Sequence, residues 1–525
     1  MLKAENIGDL LREAAKRDPG ATAFRYRSET VTYGDWSAWA DRLAGFYWSQ
    51  GLRPGDVVAL LLPSTPFYLV AYLGAARVGL VTAGINLRYR RREILAILGR
   101  SQARLLLAAR RGHEGMDFQA LVEAERSNLP NLERCYWFDE PEFIDTRGLI
   151  ERLCQGAEAA PALAVDGDQP VAIVFTSGTT GAPKGACYLH RNLLALAEIE
   201  NRRYEAGLEP VRKHLAAGVS FAHLGTMARI GVQISQMSMS IIHDRFDPSL
   251  VLAMIAGERL PHLGAFPTQM IALLDHPQRS QFDLSSLRSV LLGGAPVAPE
   301  LIQRVQRELG ATVSVRYSST EIGIATASLP SDPPQMLCET VGKPTPGVEL
   351  RIVDGNNLPL PAGEVGEVVV RSPATMVGYW NDLEATRRTI DQEGWVHTGD
   401  LGFLDEAGYL HLRGRMSEMY IRGGFNVYPM EVENLLLHHP KVARAAVVAV
   451  PDSRLGEIGW AFVVPKHRDD PPTLEELRRF IGRELASFKR PDGLTILDDM
   501  PQTAMFKPDK RALRELWQQR RASER

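Results

Sequence analysis

The chemistry of this 525-residue sequence gathers first in Thr176-Ser177-Gly178-Thr179-Thr180-Gly181-Ala182-Pro183-Lys184. A short apolar strand, Val171 to Phe175, runs into it, and then every large side chain disappears at once. What remains is hydroxyl donors, glycines and a lysine. Glycine lets backbone approach a ligand closely, and successive N–H groups form an anion-binding concavity, so the segment suits a polyphosphate. It is not the Walker pattern, because Lys184 follows Gly181 by three residues and Gly185 stands where Ser or Thr is required. On composition alone a solvated Ser/Thr/Gly surface loop is an equal alternative.

Further along, the pair Gly293-Gly294 followed by Ala295-Pro296 ends a short strand and permits a ligand to lie against bare backbone. Tyr317-Ser318-Ser319-Thr320-Glu321 combines an aromatic ring, three hydroxyls and a carboxylate at another strand end. Such a set can stack on a base, bond a phosphate and hold Mg²⁺, although Ser/Thr followed by Glu also starts helices. In Trp395-Val396-His397-Thr398-Gly399-Asp400 the carboxylate can bind two ribose hydroxyls; a plain Gly-Asp turn is the competing reading. Arg422-Gly423-Gly424 opens a further loop.

The elements that must position these residues alternate. Helical patterns at 34–50, 66–78 and 91–101 are interleaved with strand patterns at 57–62, 80–83 and 104–108. That βαβα rhythm predicts a mostly parallel sheet covered by helices. Residues 111–169 look irregular, and 156–170 reads as a loop leading into the phosphate-binding strand. Helices are expected at 192–206, at 226–238 as the wall of an apolar pocket or an ordinary core helix, and after Asp247-Pro248, an acid cap with proline in the first turn. Strands are expected at 260–266, 289–292 and 312–316. Alternation at 348–353, 366–371 and 408–413 suggests a smaller antiparallel sheet. From about residue 416 the character changes to a compact α+β unit, with helices at 429–438 and 474–487, strands at 442–450 and 460–466, and a basic tail read as a solvated helix face.

A chain this long exceeds one core, so several domains are expected. The net charge of −3 gives no footprint for nucleic acid or an anionic membrane. Four scattered cysteines lack metal-ligand spacing, and neither disulfide nor zinc is expected. The first 20 residues form an amphipathic pattern without signal-peptide features, and the most apolar window, 67–85, carries Arg77 mid-length. A cytoplasmic protein without a membrane span is therefore expected.

Taken in order, the motifs at Thr176 to Lys184, Gly293 to Pro296, Tyr317 to Glu321, Thr398 to Asp400 and Gly414-Arg415 onward resemble the adenylate-forming superfamily of acyl-CoA synthetases, nonribosomal adenylation domains and luciferases. The likeness covers nearly the whole chain and lies nearest the fatty-acyl-CoA-ligase-like members. It implies an α/β fold: a large N-terminal AMP-binding domain (1–417) of parallel and mixed sheets with helices and a small β-barrel-like subdomain. A small, mobile α+β domain (418–525) follows on a hinge at Glu418.

The resemblance also implies roles. Thr176, Ser177, Gly178, Thr179, Thr180, Gly181 and Lys184 correspond to the phosphate loop. Gly294, Ala295, Pro296, Tyr317 and Ser318 fall at the adenine side, Thr320 at the α-phosphate and Glu321 at Mg²⁺. Asp400 and Arg415 match the ribose-binding pair, Lys507 the adenylation lysine, and His223 a position beside the acyl pocket. Gly423 and Gly424 would let the pantetheine thiol of coenzyme A approach. The implied reaction consumes a carboxylic acid, ATP and CoA through an acyl-AMP, with domain rotation between half-reactions.

Two departures stand out. Ser417-Glu418 replaces the usual Lys-Asp, and Phe506, followed by Lys507-Pro508, replaces a glycine. A left-handed backbone at Phe506 would cost ~1–2 kcal/mol. Thioesterification of a supplied acyl-AMP is accordingly one alternative; adenylation for an acyl carrier protein, a luciferase-like oxygenase and a non-catalytic nucleotide binder are the others. The small and apolar lining at 221–230, 265–268 and 291–293 favours a medium or long aliphatic, or a polycyclic, acid. Monomer and homodimer are equally compatible with the sequence.

Overall fold

The computed structural model describes residues 2, 4–112, 115–176, 183–205, 212–295, 297–503 and 507–523. Its central element is a seven-stranded sheet. Five parallel strands, Pro170–Thr176, Val81–Gly84, Val57–Leu61, Leu105–Ala109 and Arg134–Phe138, lie side by side. Lys184–Leu189 then turns back antiparallel on Pro170–Thr176. The inner strands Val57–Leu61 and Leu105–Ala109 are buried on both faces, which is why they read as continuous Val/Leu/Ala runs without alternation. The helix Pro66–Arg77 is buried along its whole length against one face. Arg77, the charge inside the apolar window, is buried and donates to Ser37 Oγ at 2.7 Å while pairing with Asp41.

A second sheet holds the parallel strands His262–Ala265, Ser289–Gly293 and Thr312–Ser319, continued antiparallel by Gly323–Ala327. A third joins Glu29–Thr32, Thr22–Tyr26, Met239–His243 and Lys213–Ala217. The smaller antiparallel sheet has four strands, Glu349–Val353, Gly366–Arg371, Val396–Leu404 and Leu410–Arg415. From its last strand the chain passes through the single 3₁₀ turn Met416–Glu418 into a C-terminal sheet. This is built on the long hairpin Val442–Asp452/Gly456–Pro465 and has separate cores on its two faces. The architecture is the mixed α/β arrangement with a smaller α+β unit that the sequence implies.

Several local expectations need correction. Residues 111–169 are more regular than their composition suggests: they contain the helices Phe118–Ala124 and Thr146–Leu153 and the sheet-edge strand Arg134–Phe138. Arg134 and the half-buried Cys135, Tyr136 and Trp137 carry edge positions, so no apolar period appears. The tail is not merely a solvated helix. In Lys510–Ser523, Leu513 and Trp517 are buried against Val448, Phe462 and Met500. The helix expected over 474–487 stops at Ile481.

Candidate active site

The motifs lie far apart in the chain but line one continuous cleft of about 2360 Å³. Around it stand Thr176, Lys184, His223, Gly294, Ala295, Tyr317, Ser318, Thr320, Glu321, Asp400, Arg415 and Lys507. Of the expected phosphate loop the structure describes the two anchors. Thr176 and Lys184 face each other across the antiparallel pair, with Thr176 Oγ1 donating to the Lys184 carbonyl at 3.5 Å. Ser177, Gly178, Thr179, Thr180 and Gly181 lie outside the described residues, as do Pro296 and Phe506. Gly423 and Gly424 do not line the cleft. They form the two-residue turn between Tyr420–Arg422 and Phe425–Val427, with φ of +56° and +89°. Positive φ at both turn residues is the requirement of a type I′ hairpin.

The strand Thr312–Ser319 carries Tyr317 and Ser318 to the cleft and delivers Thr320 and Glu321 in the reversal that follows, so the strand turns back and no helix begins there. Glu321 is held on both oxygens: Ser319 Oγ donates to Oε2 at 2.9 Å and the Tyr379 hydroxyl to Oε1 at 3.1 Å. The Tyr379 ring also lies 5.1 Å from Lys184 Nζ, a cation–π distance. Tyr188 donates its hydroxyl to the Thr320 carbonyl at 2.5 Å, fixing that residue from below.

Trp395 to Asp400 does not end in a free turn. Residues Val396–Leu404 form a strand, and Gly399 adopts φ +69° within it. Glu367 braces the irregularity by accepting the Gly399 N–H at 2.9 Å and contacting His397 Nδ1 at 2.8 Å. Asp400 emerges buried. It accepts the Tyr317 hydroxyl at 2.6 Å on one oxygen and faces Arg415 Nε at 3.1 Å on the other. Burial pushes its carboxyl above the usual range, against the opposing pull of Arg415 and the Tyr317 hydrogen bond. Burial and Asp400 likewise push the Tyr317 phenol well up, keeping it a donor.

Lys507 is reached by solvent but stands inside the cleft mouth. The surrounding protein and then Arg415 lower its ammonium below the usual lysine range, opposed by Asp400, Glu321 and Glu418. Its carbonyl accepts the Thr503 N–H at 2.8 Å, and Gln502 pairs with Pro508 in an isolated antiparallel bridge. Glu418, at the 3₁₀ turn, is bound by Lys510 at 2.5 Å, and Lys510 also reaches Glu433 at 2.8 Å.

Sequence reasoning missed Asn86, just after the strand Val81–Gly84. Its Oδ1 accepts the Arg88 N–H at 3.0 Å, so the amide nitrogen must point the other way, onto His223 Nε2 at 3.0 Å. His223 Nε2 then accepts, and Nδ1 keeps the proton in the neutral ring. Burial lowers the His223 pKa to about 4, so the ring is neutral near pH 7. A polar residue directly after an apolar strand was the available signal. Tyr188, Tyr379 and Glu367 gave none, since only the tertiary fold brings them to the motifs.

Residues 11–380 match the family of AMP-binding enzymes, and residues 431–507 match the AMP-binding enzyme C-terminal domain. The chain belongs to the AMP-binding enzymes. Within this adenylate-forming group, the chain is 36% identical over 482 residues to 3-[(3aS,4S,7aS)-7a-methyl-1,5-dioxo-octahydro-1H-inden-4-yl]propanoyl:CoA ligase of Rhodococcus jostii (strain RHA1), covering 89% of this chain and 90% of that one. It is 30% identical over 516 residues to medium-chain fatty-acid–CoA ligase of Escherichia coli (strain K12), covering 97% and 90%. ATP-bound MatB from Rhodopseudomonas palustris superposes with a TM-score of 0.87 at 27% identity, over 98% of this chain and 99% of that one. The chain is an enzyme of the AMP-forming acid–thiol ligase type. Among the described residues no helix is long and apolar enough to cross a membrane.

The residues also fit a magnesium ion. Glu321 offers hard oxygens whose two neighbours are hydroxyls able to rotate aside. Among the described residues no three or more His, Cys, Asp or Glu side chains gather into an all-protein metal cage. Magnesium needs none, since it is commonly held by one or two carboxylates with phosphate oxygens and water.

Proposed function

We propose that this enzyme joins a carboxylic acid to coenzyme A in two half-reactions within the cleft, using ATP and passing through an acyl-AMP. The observation that carries this reading is the convergence of Thr176, Lys184, Tyr317, Glu321, Asp400, Arg415 and Lys507 on one cavity. Asp400 and Arg415 hold the ribose, Tyr317 and the backbone at Gly294-Ala295 hold the base, and the segment from Thr176 to Lys184 wraps the phosphates. Gly294 has φ +78°, and a Cβ there would stand 2.6 Å from the Phe266 ring, so bare backbone is what faces the ligand.

In the first half-reaction a carboxylate oxygen attacks the α-phosphorus. An O–P bond forms, the bond to pyrophosphate breaks, and negative charge gathers on the phosphoryl oxygens. Lys507 Nζ and Thr320 Oγ1 stabilise that charge, and one preorganised donor of this kind is worth ~10²–10³ in rate. Glu321 would hold magnesium, which neutralises phosphate charge when bound. Neutral His223, oriented by Asn86, offers its Nδ1–H to the acyl group without adding charge. In the second half-reaction the CoA thiol gives its proton to solvent and the sulfur attacks the acyl carbon: a C–S bond forms, the C–O bond to phosphate breaks, and AMP leaves with its electron pair.

The unit from 418 onward acts as the mobile part and the unit 1–417 as the nucleotide-binding part. Glu418 serves as the hinge carboxylate, and Gly423-Gly424 enter only after rotation. The substrate is a medium or long aliphatic or a polycyclic acid, in keeping with the names of the relatives above and with the apolar walls at Phe221, Ile230 and Leu291. Acid-dependent exchange of labelled pyrophosphate into ATP, measured without CoA, tests the first step. No exchange at saturating acid, with thioester formed from synthetic acyl-AMP and CoA, would reduce the enzyme to its second half-reaction.

A further inference from the structure

Two tyrosines beside the phosphate segment stand outside every motif of the sequence. The seventh strand of the central sheet is the dipeptide Gly378–Tyr379, which pairs antiparallel with Lys184–Leu189. The register sets Gly378 against Cys187 and Tyr379 against Ala186. Side chains alternate along a strand, so Lys184, Ala186 and Tyr188 share one face, and Tyr379, opposite Ala186, joins them on it. The phosphate-segment lysine and both tyrosines therefore belong to one side of one sheet edge.

This edge holds the reversal Thr320-Glu321 at three points. The Tyr188 hydroxyl donates to the Thr320 carbonyl at 2.5 Å, and the Met376 N–H, just ahead of Gly378, donates to the Glu321 carbonyl at 3.0 Å. The third is the Tyr379 hydroxyl on Glu321 Oε1 at 3.1 Å. An ionised carboxylate accepts at about four lone-pair sites. Tyr379 and Ser319 take one on each oxygen, which leaves one on each for a cation. The same Tyr379 ring lies 5.1 Å from Lys184 Nζ, so one side chain touches both the carboxylate and the lysine. Both tyrosines are buried, which fixes their rings.

We propose that Tyr379 is a positioning residue that ties the phosphate segment to the magnesium carboxylate: its hydroxyl aims Glu321 at the cation, and its ring steadies the Lys184 ammonium for the polyphosphate. This rests on the nucleotide-binding reading of the cleft and gives a task to a residue outside the motifs. A hydrogen-bond partner that orients a metal-binding carboxylate is worth ~10–100-fold in metal affinity or activity. A lysine over an aromatic face is worth less, ~2–5-fold. The two contributions differ in size and belong to different parts of one side chain, so they can be removed separately.

Calorimetric titration of the full-length protein with ATP, once in excess Mg²⁺ and once in EDTA, tests this without turnover. The wild-type protein is expected to bind ATP at least ~10-fold more tightly with Mg²⁺. Tyr379→Phe keeps the ring and removes the hydroxyl. It should cut that magnesium advantage to below ~3-fold and leave binding in EDTA within ~2-fold of wild type. Tyr379→Leu should also weaken binding in EDTA, by ~2–5-fold. Adding Tyr379→Phe to Glu321→Gln should cost nothing further in Mg²⁺, because the two act through one contact. An undiminished magnesium advantage in folded Tyr379→Phe, or equal losses with and without Mg²⁺, overturns the proposal. So does a wild-type protein that gains nothing from Mg²⁺, whether or not the variants fold. Should acid-dependent pyrophosphate exchange be absent while this binding pattern holds, the acid-activating reading fails and the role of Tyr379 stands.

Discussion

Replacing Lys507 by alanine should separate the two half-reactions. The lysine lines the cleft together with Asp400, Glu321, Glu418 and Arg415 and feels the charge of all four. Those carboxylates favour the charged ammonium, while burial and then Arg415 lower its pKa. A donor so prearranged contributes ~2.7–4 kcal/mol to a charge-gathering transition state, or ~10²–10³ in rate. Acid-dependent pyrophosphate exchange should fall by that factor in Lys507→Ala. Thioester formation from pre-made acyl-AMP and CoA, in which no charge gathers at phosphorus, should change only a few-fold. The pH profile gives a second reading. Since the cation is the active form, adenylation should decline as pH rises through the Lys507 pKa, on an alkaline limb below the usual lysine range. Undiminished exchange in the variant, or equal losses in both half-reactions, would refute the reasoning and assign Lys507 no part in adenylation.

Gly294→Ala should raise the KM for ATP by ~10-fold or more: φ of +78° costs a non-glycine residue ~1–2 kcal/mol, and the new methyl meets the Phe266 ring. Initial rates against ATP concentration, with melting as a folding control, check this. Lys510→Gln removes the cation between Glu418 and Glu433. It should weaken the state that keeps Lys507 in the cleft, lowering adenylation several-fold with less effect on thioester formation; single-turnover rates of the two half-reactions measure this. His190 is fully buried, and burial lowers its pKa from 6.5 to about 4. A depressed histidine binds its proton in the unfolded chain first, so stability falls as pH drops from 6.5 to 4. The loss from this group alone is about 3 kcal/mol. Denaturant titrations at a series of pH values should show a shallower acid slope in His190→Gln.

Much of the architecture was readable because it is written in local periods. The strand Val57–Leu61 is an unbroken apolar run, Arg91–Ser101 a periodic helix, and Asp247 does cap its helix by accepting the Leu250 N–H. The strand Arg134–Phe138 was not readable, because an edge strand half open to solvent carries mixed residues. The tail helix was misjudged because two buried positions, Leu513 and Trp517, are few against its charge. At the site, Glu321 and Asp400 were visible as types in motifs. Their braces, Tyr379 from one side and Tyr317 with Arg415 from the other, come from segments 58, 83 and 15 residues distant.

By itself the sequence determined which groups exist to do chemistry: hydroxyls and glycines after a buried strand, carboxylates at Glu321 and Asp400, a lysine near the C-terminus. It also determined the alternation that makes a parallel sheet, since side-chain period and turn chemistry are properties of neighbours. Only the tertiary structure decided the protonation and aim of those groups. Asn86 sets the tautomer of His223, Tyr317 and Arg415 balance the burial of Asp400, and Gly264 makes room for Arg229. Electrostatics and close packing act through space over a few ångströms, and residues that near each other in the fold can stand hundreds of positions apart in the chain.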